Sequence, residues 1–123
     1  MTVIVLFFLL SVKHFLFDFP FQTARELEHK GNYGDLKGVT HSYKHGLGTW
    51  TILVFFMPTW SPIFGLADFL THYFIDLTKV KASKGLSPAD KKFWTYLGLD
   101  QLAHYTVYAI ILSVYLILHK KGY

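Results

Sequence analysis

The sequence predicts an all-α fold, an integral-membrane four-helix bundle of up-down topology, on three observations. The chain of 123 residues is 52% hydrophobic and only 16% charged, with a mean hydropathy of +0.31. Four apolar stretches, each close to the length that crosses a bilayer, are separated by polar, lysine-bearing or proline-bearing segments. The second connection, residues 58–62, is short, which favours antiparallel neighbours. We therefore expect one membrane domain over residues 1–123, and the composition excludes a disordered segment.

Each apolar stretch predicts one helix. The predicted helices cover residues 3–19, 40–57, 63–79 and 93–118. Spanning a hydrocarbon core of roughly 30 Å takes about 20 residues, so only the last stretch is comfortably long. Each of the first three has one apolar end and one end with His, Asp or Lys, which is typical of a spanning helix with a polar functional end. Pro20 should end or kink the first helix, and the connection after it has room for an amphipathic segment.

Lysine and arginine are distributed unevenly between the two sides of this predicted bundle. The connections 20–39 and 80–92 and the adjoining helix ends hold most of them, whereas the opposite side has only Lys120 and Lys121. The positive-inside rule therefore places both connections in the cytoplasm and both termini outside. These lysines are suited to anionic lipid headgroups in the bilayer, and without a recognised motif we expect no nucleic-acid partner. A homo-oligomer is compatible with the sequence.

Histidine and aspartate recur at a spacing of four residues, with one pair on each predicted helix. This spacing places both members of a pair on one helix face. The pairs are His14 with Asp18, His41 with His45, His72 with Asp76, and Asp100 with His104. In an up-down bundle all eight groups fall near the cytoplasmic ends of their helices, so we expect one polar layer there, one or two helical turns thick.

Such a layer predicts a metal site. Ionisable groups at membrane depth are rare unless they face the bundle interior and have a function. The chain has no cysteine, so a metal must bind through imidazole and carboxylate, the ligands used in four-helix bundles. These donors favour Zn²⁺, with Mn²⁺ or Fe²⁺ as alternatives, and eight groups suffice for one or two ions. A metal-bound water would be the nucleophile, with Asp18, Asp76 or Asp100 as the base.

Other polar residues divide into two groups. The predicted outer-shell or substrate groups are Gln22, Lys30, Asp68, Lys79 and Gln101. Of these, Lys79 is suited to an anionic substrate because it follows Asp76 by three residues. We expect His29 and His119 to be solvated, and Lys13 to point away from the layer and snorkel or face a connection.

Five segments carry a family resemblance: HFLFDFPFQ (His14–Gln22), Lys30, HSYKH (His41–His45), HYFIDLTK (His72–Lys79) and DQLAH (Asp100–His104). In order and spacing they resemble a family of small bacterial and phage inner-membrane proteins, catalogued as domain of unknown function 3307. That family is similar to membrane-bound proteins described as metal-dependent hydrolases. The resemblance covers nearly the whole chain and implies a multi-pass protein of the bacterial inner membrane. Pro20 departs from the pattern, in which an aliphatic residue is more usual, and leaves the place of Gln22 on the helix face open.

The sequence therefore predicts a membrane-embedded, metal-dependent hydrolase that acts on a phosphoester or acyl ester, lipid esters included, at the cytoplasmic interface. One alternative is a non-enzymatic membrane effector in which the polar layer is structural or binds a partner. Another is a protein that senses or passes metal ions or protons, although the outer helix halves offer few polar groups for a pathway. Haem ligation by facing histidines is a third alternative.

Overall fold

The computed structural model describes residues 1–122, and helices are their only regular secondary structure, as predicted. Residue 123 of the predicted domain lies outside the described residues. The helices are α1 (Thr2–Asp18), α2 (Ala24–His29), α3 (Leu36–Leu53), α4 (Ser61–Ala82) and α5 (Lys91–Lys120). The four long helices pack in a ring in the order α1, α3, α4, α5, and α5 closes the ring against α1. The short α2 packs on α3. Helices α1 and α4 therefore face each other across the centre of the bundle.

Helix α3 lies four residues earlier in the chain than the predicted range 40–57. It begins at Leu36 because the Asp35 side chain accepts a hydrogen bond from the backbone N–H of Lys37 at 2.8 Å and caps the helix. It ends at Leu53, where the chain enters a turn over residues 54–56, and Pro58 then disfavours a helical conformation at Met57. The other three predicted helices differ from the structure by one to three residues at each end.

Helix α2 is the amphipathic segment expected after Pro20. The Thr23 hydroxyl accepts a hydrogen bond from the Glu26 N–H at 3.2 Å, and the Glu26 carboxylate accepts one from the Thr23 N–H at 2.9 Å. This capping box fixes the start of the helix. Burial by itself would raise the pKa of Glu26, but hydrogen bonds from Lys44 and Thr23 outweigh it, so that pKa lies below its ordinary value. The Lys44–Glu26 ion pair fastens α2 to α3.

Helices α3 and α4 approach closely where two glycines face each other. A β carbon at Gly46 would lie 2.6 Å from the carbonyl oxygen of Gly65, and one at Gly65 would lie 2.8 Å from that of Gly46. Small residues are what allow two helix backbones to come this near. The contact also sets the register that stacks His45 on His72, with ring centroids 3.6 Å apart.

We expect Gly46→Ala to lower stability by about 1–3 kcal/mol, the usual cost of overpacking, because the new methyl group meets backbone atoms of α4. Thermal unfolding of the detergent-purified protein measures this loss. Gly98→Ala in α5 is the matched control, since its β carbon would meet nothing within 4 Å. It should leave stability unchanged or raise it by up to about 1 kcal/mol. Equal melting temperatures for the two variants would contradict the prediction.

The bundle has an apolar end and a polar end. Its hydrophobic core consists of Leu6, Leu10, Leu53, Met57, Phe64, Tyr108, Ile111, Leu112 and Tyr115. This core joins the beginnings of α1 and α4 to the ends of α3 and α5, so neighbours in the ring run antiparallel. The opposite halves of these helices carry the buried histidines and aspartates.

Among the described helices, only α5 is both long and apolar enough by composition to cross a bilayer. Helix α1 has 17 residues and α3 has 18, which at 1.5 Å per residue gives lengths of about 26 and 27 Å. Helix α4, with 22 residues, is long enough but carries Asp68, Asp76, Lys79 and Lys81. Of the four helices that were predicted to span the membrane, only α5 therefore has both the length and the composition to do so.

Candidate metal centre

Five histidines from all four long helices meet at the polar end of the bundle. They are His14, His41, His45, His72 and His104, each at most 1% exposed. The His72 ring lies at the centre of the group, stacked between the rings of His45 and His104 at centroid distances of 3.6 and 4.1 Å. Together with Asp18, Asp76 and Asp100, these histidines form what we call the His/Asp cluster. It contains all eight residues predicted as metal ligands.

Asp18 faces histidines from three helices. Its Oδ1 lies 3.1 Å from His41 Nε2 and 3.2 Å from His45 Nε2. The same oxygen lies 3.6 Å from His72 Nε2. On the other side of the carboxylate, Oδ2 lies 3.1 Å from His14 Nε2. Asp18 therefore joins α1 to α3 and α4, and its two oxygens face different histidines.

Asp76 occupies a similar position on α4. Its Oδ2 lies 3.4 Å from His41 Nε2 and 3.5 Å from His72 Nε2. Its Oδ1 lies 3.5 Å from His104 Nε2, and Asp100 Oδ1 approaches the same nitrogen at 3.6 Å. Imidazole nitrogens and carboxylate oxygens thus alternate throughout the interior of the cluster.

Their spacing fits a cation. A tetrahedral ion with bonds of about 2.0–2.1 Å holds its ligand atoms about 3.3 Å apart, and Asp18 Oδ1 lies 3.1, 3.2 and 3.6 Å from the Nε2 atoms of His41, His45 and His72. Three groups could hold a metal ion, each with ligand atoms within 4.8 Å of one another: Asp18, His41, His45, His72; His14, His72, His104; Asp18, Asp100, His104. Because Asp18, His72 and His104 each belong to two groups, neighbouring positions share ligands.

Several atoms of the cluster are buried without a hydrogen bond to any described residue. They include both ring nitrogens of His45, Asp76 Oδ1, Asp100 Oδ1 and His104 Nε2. Leaving a buried polar atom unsatisfied costs about 1–3 kcal/mol. His45 Nε2 lies 3.2 Å from Asp18 Oδ1. A bound cation would supply the missing partner, so the residues present fit a metal.

Gln22 reaches the cluster although it is not on a helix. Helix α1 ends at Asp18, two residues before Pro20. The chain then turns back, and the Gln22 amide lies 3.2 Å from His41 Nε2. With its oxygen towards Lys30, the amide accepts a hydrogen bond from Lys30 Nζ at 3.2 Å. Gln22 therefore contacts the predicted ligand His41 from the turn after α1. It does not lie on the helix face of His14 and Asp18, because α1 has ended before it.

Gln101 contacts two members of the cluster from α5. Its Oε1 lies 3.0 Å from His14 Nε2, and its Nε2 donates a hydrogen bond to Asp100 Oδ2 at 3.1 Å. This amide therefore holds the Asp100 carboxylate in one orientation beside His14.

Lys30 and Lys79 flank a cavity that opens onto the cluster. The cavity has a volume of about 360 Å³, and its walls include Asp18, Asp100 and both lysines. Lys30 Nζ lies 3.3 Å from Asp76 Oδ2. Burial would lower the pKa of Lys30, but the charges of Asp76 and Asp18 outweigh it, so that pKa lies above its ordinary value. Lys79 has its Nζ 5.8 Å from the centroid of the Phe93 ring.

Asp68 lies outside the ligand groups, in a buried ion pair with Lys13 on the side of the cluster nearer the apolar core. Lys13 Nζ lies 2.7 Å from Asp68 Oδ2, 3.0 Å from Thr49 Oγ1 and 3.1 Å from the His45 carbonyl oxygen. The prediction that Lys13 snorkels was wrong, since it is only 6% exposed. The reason is that α1 faces α4 across the bundle, where Asp68 supplies the opposite charge. We call Lys13, Thr49 and Asp68 the buried triad.

Sequence reasoning missed Lys13, Thr49 and Tyr108. The Tyr108 hydroxyl lies 3.4 Å from His14 Nδ1, and its ring lies 4.9 Å from Lys13 Nζ. A signal was present, because Thr49 and Tyr108 continue the four-residue rows of His45 and His104 by one turn. The remaining histidines lie apart from the cluster: His29 pairs with Asp35, and His119 stacks on Tyr115.

A comparison with known families matches residues 5–121 to a family described as a protein of unknown function, DUF3307. The chain belongs to the DUF3307 family. The match includes the whole His/Asp cluster, the buried triad and both lysines of the cavity. No curated protein and no solved structure gives a significant match. The family description assigns no activity.

Proposed function

We propose that this DUF3307 protein is a membrane-embedded, metal-dependent hydrolase whose metal is held by the His/Asp cluster. The observation that carries the proposal is the Asp18 carboxylate, whose oxygens lie 3.1–3.6 Å from four histidine nitrogens. The unsatisfied buried nitrogens and oxygens around it add support. Nitrogen and oxygen ligands favour Zn²⁺, with Mn²⁺ or Fe²⁺ as alternatives, and the shared ligands provide for one or two ions.

The outer surface of the bundle supports a location in the membrane. Large apolar side chains are exposed on all four long helices, and Phe8, Trp50, Leu66 and Leu102 are each more than 40% exposed. Soluble monomers rarely expose apolar surface of this extent. By the charge rule the connections 20–39 and 80–92 face the cytoplasm and both termini face outward, as in a multi-pass protein of the bacterial inner membrane. The His/Asp cluster would then open towards the cytoplasmic interface.

In this proposal the residues of the site have different roles in ester hydrolysis. When bound, a divalent cation supplies Lewis-acid activation of water and stabilises charge on the attacked ester. Asp18 and Asp100 both line the cavity, and Asp100 is the one we assign as proton acceptor because Gln101 orients its carboxylate. Lys79 is placed to bind an anionic substrate beside Lys30, whose ammonium group pairs with Asp76, and this positive charge favours a phosphoester over a neutral acyl ester.

Metal analysis and hydrolysis assays on the detergent-purified protein test the proposal. We expect at least one Zn, Mn or Fe per chain and hydrolysis of p-nitrophenyl phosphate faster than of p-nitrophenyl acetate. His72→Ala should lose both metal and hydrolysis, whereas His119→Ala, which lies outside the cluster, should retain both. The proposal is wrong if His72→Ala keeps the metal content and activity of the unmodified protein. Bound metal without hydrolysis of either ester would contradict the enzymatic part and leave a metal-binding effector or sensor.

A further inference from the structure

Two neighbouring concavities share one boundary at the polar end of the bundle. The polar cavity beside the His/Asp cluster holds Lys30 and Gln22, and a second, apolar groove of about 430 Å³ lies between α4 and α5. Lys79 and Asp100 line both of them. The walls of the groove are Phe74, Ile75, Thr78 and Ala82 from α4, with Tyr96, Leu99 and Ala103 from α5.

The groove has the shape and chemistry to hold a hydrocarbon chain. Thr78 is the one neutral polar side chain that α4 contributes to the groove, and its hydroxyl donates a hydrogen bond to the Phe74 carbonyl oxygen at 2.7 Å. Ala82 and Ala103 leave space where larger side chains would close it. Apolar concavities of several hundred Å³ are typical ligand sites when a few polar groups converge at one end. Here those groups are Lys79 and Asp100.

The charged residues at the boundary between the groove and the polar cavity determine which headgroup the ligand can carry. With a divalent cation balancing Asp18 and Asp100, and with Asp76 paired with Lys30 at 3.3 Å, the ammonium group of Lys79 remains to attract an anion in the polar cavity. A lysine ammonium beside a divalent cation matches the double negative charge of a phosphate monoester. A molecule that places this phosphate in the polar cavity can lay its chain in the groove without crossing a helix.

We propose that the groove between α4 and α5 binds the chain of a lipid phosphate monoester whose phosphate lies between Lys79 and the His/Asp cluster. The proposal rests on the proposed function and names its substrate class. The groove between α1 and α5 lacks this continuity: it is lined by Val3, Phe7, Ala109 and Leu112 among others, without a charged residue. That groove serves as an internal control.

Photo-labelling tests this inference without requiring hydrolysis. The probe is a non-hydrolysable phosphonate analogue of phosphatidic acid with a diazirine in its acyl chain, offered to the metal-loaded protein in phosphatidylcholine vesicles. We expect the label on α4 and α5 around Ala82 and Ala103. Ala103→Trp should fill the groove and reduce labelling on the order of tenfold, whereas Ala109→Trp in the control groove should not.

A second pair of variants tests the headgroup. Lys79→Gln should reduce labelling by the phosphonate probe about tenfold, as the loss of one ionic contact predicts, and leave labelling by a phosphatidylcholine probe unchanged. Lys81→Gln, an exposed lysine two residues along α4, is the matched control.

The outcomes separate this inference from the proposed function. Equal labelling by the two probes, or equal labelling of the two grooves, would overturn the lipid site even if soluble phosphoesters are hydrolysed. Selective labelling in a protein that hydrolyses nothing would support the lipid site and refute the hydrolase.

Discussion

Replacing Asp18 with asparagine should remove the metal from the site and lower kcat/KM for phosphoester hydrolysis by at least about 100-fold. Loss of an outer-shell partner alone costs up to about 100-fold, and the loss of a ligand such as Asp18 should cost at least as much. The substitution keeps the shape of the side chain and removes its charge. Both oxygens of Asp18 face histidine nitrogens at 3.1–3.6 Å, and no other carboxylate of the described residues faces as many histidines. Metal content by mass spectrometry and steady-state kinetics measure the effect.

Chelation gives the same prediction an independent readout. A ligand present at 1,000 times its dissociation constant stabilises the folded state by about 4 kcal/mol, so a chelator should lower the melting temperature of the unmodified protein. Asp18→Asn should show no such dependence. Asp90→Asn, in the connection before α5, changes a carboxylate that accepts hydrogen bonds from Ser87 and should behave like the unmodified protein. The assignment of Asp18 as a metal ligand is contradicted if Asp18→Asn retains the metal, or if a chelator leaves the melting temperature of the unmodified protein unchanged.

Lys13→Met should destabilise the fold by about 3–5 kcal/mol, the usual cost of leaving one member of a buried ion pair without its partner. Lys13 is 6% exposed and Asp68 is 1% exposed, so water cannot replace the lost ammonium. The substitution also removes hydrogen bonds to Thr49 and to the His45 carbonyl oxygen, which connect α1 to α3. Thermal or denaturant unfolding in detergent measures the loss.

The double variant Lys13→Met with Asp68→Leu distinguishes loss of the ion pair from loss of packing. Apolar residues of similar volume often replace a buried pair at little cost, so the double variant should be more stable than Lys13→Met alone. Lys37→Met, at an exposed lysine near the start of α3, should change stability by less than about 0.5 kcal/mol. A double variant that is no more stable than the single one would show that the pairing of Lys13 with Asp68 is not what stabilises this region.

Local patterns account for much of the fold and of the candidate site. Apolar runs and breaks predicted four long helices, and the four-residue spacing of His and Asp put each pair on one face. The start of α3 was missed because it depends on the Asp35 cap, and its end was missed because the apolar run continues past Leu53 through the turn to Met57. Lys13 was misplaced because its partner Asp68 is 55 residues away in the chain.

By itself the sequence determined the all-α class, the absence of thiolate ligands and the helix faces that carry His14, His45, His72 and their partners. These properties follow from composition and from the 3.6-residue turn, which are local. Only the tertiary structure decided that Asp18 faces four histidines, that Gln22 reaches His41 after α1 has ended, and that Lys13 is buried. These contacts depend on how close the helices come and in what register, which the contact between Gly46 and Gly65 sets for α3 and α4. Spacing along one helix cannot specify distances between helices, because those depend on side-chain packing across the whole bundle.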